Sequence, residues 1–344
     1  MMKAGKFRAR IRSRGAILWV CLIGLANAWG CSWNNIPESP ATSALACDTL
    51  PSAWDGTDSL PAYAGIRGAL LTSRFSSLEE LKSVVRIEYF PNASEAGQAY
   101  RGDSLVRLTH CSDGQIVVSI LAQGVDEGDF SKAMTGSFAD KLSIAIHSLP
   151  SIEQRQYLKR IIVLARRRPL YLGEGDPAFF DLALSMVGHI RNKDLAFVSP
   201  ADSSEKGYLN TFNHITAQAF ITSLYSEEIA DLVADVHERQ TMPELMTGKF
   251  SAEQMVDPDV NPLDNYVDII NNEWGQELGI ELRQKYQITP NTSWTPELLT
   301  NYLNDIQQYY RWALQIGMEP FRPQDTVVMR FSHKLNFAIS HAPD

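Results

Sequence analysis

Cysteine is scarce in this chain. Cys21, Cys31, Cys47 and Cys111 are the only four among 344 residues, and no two are spaced as CxxC. Redox and zinc chemistry built on that pair is therefore excluded. The sequence also lacks GxSxG, the phosphate loop GxxxxGK[ST], GxGxxG and HExxH. These absences remove the nucleophile-elbow hydrolases, the P-loop enzymes, the dinucleotide-binding fold and the common zinc proteases. His237-Glu238 begins like the last motif, but position 241 is Thr, which deletes the second imidazole ligand. Positive charge is in deficit, with 31 Lys and Arg against 40 Asp and Glu. What basic charge there is concentrates at the start.

Residues 1–15 carry Lys3, Lys6, Arg8, Arg10, Arg12 and Arg14 and no acidic residue. An apolar run, Ala16 to Leu25, follows, and then Ala26-Asn27-Ala28. A basic stretch, a short apolar stretch and an A-x-A site are the parts of a secretory signal peptide. Counted through Ala28 the run is about 13 residues, short for a membrane span, which needs about 20, so an uncleaved anchor is the lesser reading. No twin arginine precedes it, which favours the general secretion route. Residues 1–28 are thus expected to be removed, leaving an exported protein in the periplasm or cell envelope. That removal takes away six positive charges and moves the formal charge from −9 to −15. A chain so acidic repels phosphate backbones, so nucleic acid is not an expected partner.

Export leaves an odd number of cysteines in an oxidising compartment. Cys31 follows Gly30, a small residue suited to a lipoprotein cleavage site, although Trp29 and Ala28 are unusual there. Lipidation of Cys31 would attach the protein to a membrane and leave Cys47 and Cys111 as a disulfide pair. The alternative is a Cys31–Cys47 bridge with Cys111 buried and inert.

The organisation expected is α+β: a small strand-containing N-terminal region followed by a mainly helical domain. Residues 29–64 read as a flexible tether, with Pro37, Pro40, Pro51 and Pro61 among small polar residues. Residues 65–150 form a small α+β region. It holds a strand at 84–90 and a hairpin of 103–110 and 115–121 about Asp113-Gly114. From 151 to 344 the pattern is helical. Ser151 can cap a helix to about Arg168. Asp176-Pro177 can start one to about Arg191. Others run from Tyr208 to Leu224, from a Ser226 cap through Glu238, from Asn261-Pro262 to Tyr286, and from Thr295-Pro296 to Gly317. Asp325–Phe331 reads as a terminal strand. Arg166–Arg168 reads as a solvated helix end that complements the dipole.

Three of these helices carry polar residues where apolar ones would be expected. Asn210 and His214 lie four apart on a helix that is apolar on two sides, which buries the histidine. In the next helix Ile229, Leu232, Val233 and Val236 form the inward stripe. His237 borders it, and Glu238 lies opposite with Asp231 and Asp235. A two-residue turn between these helices predicts a hairpin with His214 and His237 at one height. In the third helix Asp268, Asn271, Asn272, Gly275 and Gly279 share one arc, apart from Val267, Ile270, Trp274 and Leu278. Two mid-helix glycines, each costing about 1 kcal/mol against Ala, call for a close approach by a helix or a ligand. His189, alone on its helix, reads as a packed histidine. His110 and Cys111 alternate on a strand and so point apart.

The pattern N-x-F-x-H, then D-x-H-E, then D-x-x-N-N-x-x-G-x-x-x-G is carried by Asn210, Phe212 and His214; by Asp235, His237 and Glu238; and by Asp268, Asn271, Asn272, Gly275 and Gly279. Over about residues 205–290 it resembles the bacterial domain of unknown function family 6973. Members occur in bacterial and phage proteins, some as end domains of wall-associated or toxin-like proteins. The resemblance implies no particular activity. It departs after the first motif, where members often have a His-Ala-Tyr/Trp run and this chain has Ile215-Thr216-Ala217. The expected functional core is His214, His237 and Asp268, acting as catalytic groups. Asn210, Asn271, Asn272, Glu238, Gly275 and Gly279 are the expected binding or orienting positions. Imidazole and carboxylate brought together can bind a divalent metal and activate water, or move protons directly. Three functions stay open: an envelope hydrolase, a non-catalytic envelope lipoprotein or binding protein with a structural polar core, and a toxin-like effector.

Overall fold

The computed structural model describes residues 68–91, 104–112, 115–135, 137, 154–257 and 261–341. The expectations for the signal segment, the tether, Cys31, Cys47, the Asp113-Gly114 turn and the Ser151 cap lie outside these residues. The fold is mostly helical with a small three-stranded antiparallel sheet in its N-terminal part, an α+β arrangement.

The sheet has the order β1 (Val85–Phe90), β2 (Leu105–Ser112), β3 (Gln115–Ala122). Its register pairs Val106 with Leu121 and His110 with Val117. Because side chains alternate, Val106, Leu108, Val117 and Leu121 share an inner face, while Leu105, Ile120 and Ala122 form a separate cluster on the other. Cys111, next to His110 on β2, is disulfide-bonded. Its partner lies outside the described residues, and the bond excludes the free Cys111 of the alternative pairing.

Helices follow in chain order. The first are α1 (Leu78–Leu81), α2 (Glu127–Thr135), α3 (Arg155–Ala165), α4 (Pro169–Leu172), α5 (Phe179–Gly188) and α6 (Lys193–Ala196). Then come α7 (Tyr208–Leu224), α8 (Glu227–Arg239), α9 (Glu244–Thr247) and α10 (Ala252–Val256). The last three are α11 (Pro262–Tyr286), α12 (Pro296–Ala313) and α13 (Thr326–Ser340). Side-chain caps set several starts: Ser226 accepts from Ile229 N, Asn261 from Leu263 N and Thr295 from Leu298 N.

Two expectations about the elements are corrected. Residues 325–331 are not a strand; they open α13. The β-branched run Thr326-Val327-Val328 suggests extension, but Val328, Phe331, Leu335 and Ala338 are buried at helical spacing. Asp176-Pro177 does not begin α5 either. The Asp176 carboxylate instead accepts from the Arg168 amide and from the buried Lys334 ammonium, which also donates to the Arg166 and Pro177 carbonyls. A buried ammonium needs its charge matched and its protons placed, and this demand outcompetes the capping role.

Helix α11 is the spine. Tyr266, Val267, Ile270 and Trp274 pack under the sheet, whereas Leu278 and Leu282 enter the helical core. That core is rich in rings: Phe212 stacks on Tyr310 at 4.1 Å between centroids, and Phe220 meets Phe179, Trp294, Tyr302 and Phe331. Such pairs add about 0.5–1.5 kcal/mol each to the burial of the rings. The glycine stripe of α11 faces α7. A Cβ at Gly275 would stand 2.7 Å from the Ile215 carbonyl oxygen, and one at Gly279 would stand 2.7 Å from that of Ala219. The two backbones pack together at a separation that only glycine permits, so the close approach is to a helix.

Candidate functional site

The glycine contact brings the polar residues just upstream on α11 against those of α7. Asp264, Asp268 and Asn272 follow at four-residue spacing and so share a face of α11. Asn210 and His214 do the same on α7. Asn210 Nδ2 donates to Asp268 Oδ1 at 2.8 Å, and His214 Nδ1 lies 2.9 Å from Asn272 Oδ1. An amide oxygen only accepts, so His214 carries its proton on Nδ1. Its other nitrogen, Nε2, sits 3.4 Å from Asp268 Oδ2, a separation that a proton or a metal cation can bridge.

Helix α8 supplies the third wall, and here the orientation expected from the sequence is reversed. Glu238 is buried and faces the site, whereas His237 is 58% exposed at its side chain. The apolar stripe suggested otherwise. Val236 and Leu232 instead pack on Val125 and Phe130, and the edge turned towards the site is Ala230, Ala234 and Glu238. His237 Nδ1 stands 3.0 Å from Glu127 Oε1 of α2. Its ring remains near that of His214, at 6.3 Å between centroids, so the two histidines do stand at one height on the α7–α8 hairpin.

One ligand atom from each of His214, Glu238 and Asp268 lies within 4.8 Å of the other two. The charge around them is unbalanced. Glu238 Oε1 is buried without a hydrogen-bond partner, and so is Asp264 Oδ1. Burial, and then the neighbouring Asp268 charge, push the Glu238 carboxyl up to about 7, with His214 and His237 opposing. Burial and the Asp264 charge raise Asp268 well above the usual carboxylate range, against the Asn210 hydrogen bond. These three carboxylates crowd together with no Lys or Arg ion pair to any of them among the described residues. Such a cluster is expensive unless it holds protons or a cation.

A divalent ion fits what is present. One imidazole nitrogen and two carboxylates form a mixed N/O set of the kind that holds zinc, manganese or iron(II). Asn272 and Asn210 fix the imidazole tautomer and the Asp268 rotamer from outside the donor triangle, as supporting hydrogen bonds do in metal sites. Exposed His237 stands at the rim.

Of the expected positions, His214, Asp268, Asn210, Asn272 and Glu238 are brought together, with His237 beside them. Asn271 is engaged elsewhere: its Oδ1 accepts from Leu70 N and its Nδ2 donates to Leu70 O. It clasps the segment before α1 rather than the histidine. Gly275 and Gly279 act through backbone packing. Asp264 was not singled out from the sequence, although its spacing of four from Asp268 places it on the same face. The chain matches no family model, no curated protein and no solved structure.

Proposed function

We propose that this chain is an exported hydrolase of the cell envelope in which His214, Glu238 and Asp268 hold one divalent cation. The observation that carries the reading is the buried, unpartnered Glu238 oxygen within 4.8 Å of donor atoms from His214 and Asp268. A bound cation would polarise a water or a carbonyl and supply the positive charge that the three carboxylates lack. The chain's own residues do the rest. Asn272 holds His214 with Nε2 turned inward, and Asn210 orients Asp268. His237, at the rim and within reach of solvent, can accept and return protons to a leaving group. The disulfide at Cys111 and the basic–apolar–AxA start support an oxidising destination outside the cytoplasm. The resemblance to family 6973 rests on these same motifs and adds no substrate.

A structural reading has one observation of its own, the Asn271 clasp on Leu70, which ties segments together without any chemistry. It does not extend to Glu238, whose oxygen bonds nothing. Elemental analysis of the protein after exposure to Zn²⁺ or Mn²⁺ and desalting tests the proposal. About one equivalent of metal is expected, with loss in His214→Ala and in Asp268→Asn. No retained metal in the folded wild type contradicts it.

A further inference from the structure

The chain carries a net charge of −9, yet beyond its basic start at residues 1–15 a second stretch runs against it. From Gln154 to Tyr171 there are six basic residues, Arg155, Lys159, Arg160, Arg166, Arg167 and Arg168, and no acidic one. They lie along α3 and in the link from α3 to α4. Arg167 is committed to a bidentate pair with Asp181. Arg166 and Arg168 pair with no carboxylate among the described residues. Directly after them α4 projects two large apolar side chains into solvent: Leu170 is 89% exposed and Tyr171 is 64% exposed. Leu170 is the most exposed large hydrophobic residue among those described.

This projection is a built knuckle. Pro169 opens the turn with its fixed backbone angle, Gly173 N bonds Pro169 O at 2.8 Å, and Gly173 closes it at φ 84°. On the other side Arg168 N is held by the Asp176 carboxylate, itself pinned by buried Lys334. Leu170 and Tyr171 are therefore presented from a rigid base, with little ordering left to lose on contact. Exposed Leu and Tyr beside unpaired Arg is the composition that settles at a bilayer interface: the rings and methyls enter the headgroup boundary while the guanidinium groups face lipid phosphates.

We infer that the Arg166–Tyr171 knuckle docks on an anionic lipid surface. Beyond the basic start, the remaining residues are acidic on balance and repelled by such a surface, so the patch also sets which side of that body faces it. The inference is independent of the proposed cation site. A soluble polyanion would need only the arginines; the exposed Leu170 and Tyr171 favour a bilayer.

Co-sedimentation of the full chain with vesicles tests this, using phosphatidylcholine alone and phosphatidylcholine mixed with phosphatidylglycerol. Variants share any contribution from the N-terminus, so the differences between them read the knuckle. Each basic residue near an anionic surface strengthens binding several-fold, so R166E/R168E should weaken partition onto the mixed vesicles by at least about tenfold. L170S/Y171S, which removes the inserting groups, should weaken it by about threefold or more. On phosphatidylcholine alone both variants should match the wild type. Equal binding of wild type and R166E/R168E to the mixed vesicles would overturn the inference. So would unchanged binding of L170S/Y171S together with full competition by polyphosphate, which would mark a polyanion site instead.

Discussion

At the scale of single residues, buried polar groups in this protein divide into those that are satisfied and those that are left wanting. His110 stands between the two kinds: its Nδ1 is paired, while its buried Nε2 has no partner. Trp274 Nε1 donates to its Nδ1 at 2.9 Å, and because the indole only donates, the imidazole is neutral with its proton on Nε2. Burial lowers His110 from 6.5 to about 4. As pH falls the unfolded chain therefore takes up this proton first. The contribution is fully present above 6.5 and is lost as pH falls towards about 4. Its size is on the order of 3 kcal/mol. His110→Gln keeps an acceptor for the indole and removes the titration. In denaturant unfolding across that range, the stability gap between wild type and variant should narrow or invert by this amount; a gap that does not change with pH would contradict the account. Glu238 belongs to the second kind, and its direction was illegible in the sequence. The hydrophobic stripe of α8 pointed to His237, because Ala230 and Ala234, buried at successive four-residue steps before Glu238, add little to an apolar periodicity. Small residues give weak periodicity signals although they permit the tightest packing.

At the scale of elements, boundaries were legible wherever capping chemistry was explicit. Tyr208–Leu224 and Pro262–Tyr286 begin and end where the sequence places them, and Ser226 caps α8 as its position suggests. The terminal helix was illegible for the opposite reason. Its β-branched opening favours extension locally, and burial of Phe331 and Leu335 among the rings of the core overrides that preference. The glycine stripe was legible as a demand for close approach, and α7 meets that demand. Gly275→Ala should thus be costly. Its Cβ would stand 2.7 Å from Ile215 O and 2.8 Å from Gln218 Cβ, and neither α7 nor α11 can withdraw without opening the core. A loss of about 1–3 kcal/mol in chemical denaturation is expected. Because the same contact sets the spacing between His214 and Asp268, the variant should also lose metal affinity while remaining folded. Wild-type stability and metal content in Gly275→Ala would refute this use of the stripe.

At the scale of the whole molecule, a sheet and a helical bundle share α11, and the polar cluster lies where α7, α8 and α11 meet. Export and anchoring are read from residues that precede this body. Mass spectrometry of the mature protein should find a start after Ala28 or a lipid-modified Cys31. An intact Met1 on a protein recovered from the cytoplasm would contradict export. Non-reducing peptide mapping should find Cys111 bridged to Cys47. The central claim, that the Glu238 cluster exists to hold a cation, is tested most directly by thermal unfolding of wild type and Glu238→Gln at about pH 8, in chelator and in excess Zn²⁺ or Mn²⁺. In chelator the variant should be the more stable of the two, because it removes a buried unpaired charge. Adding metal should raise the wild-type midpoint by several degrees and leave the variant unmoved. A wild type indifferent to metal, with Glu238→Gln destabilised in chelator, would show that the carboxylate serves the fold alone.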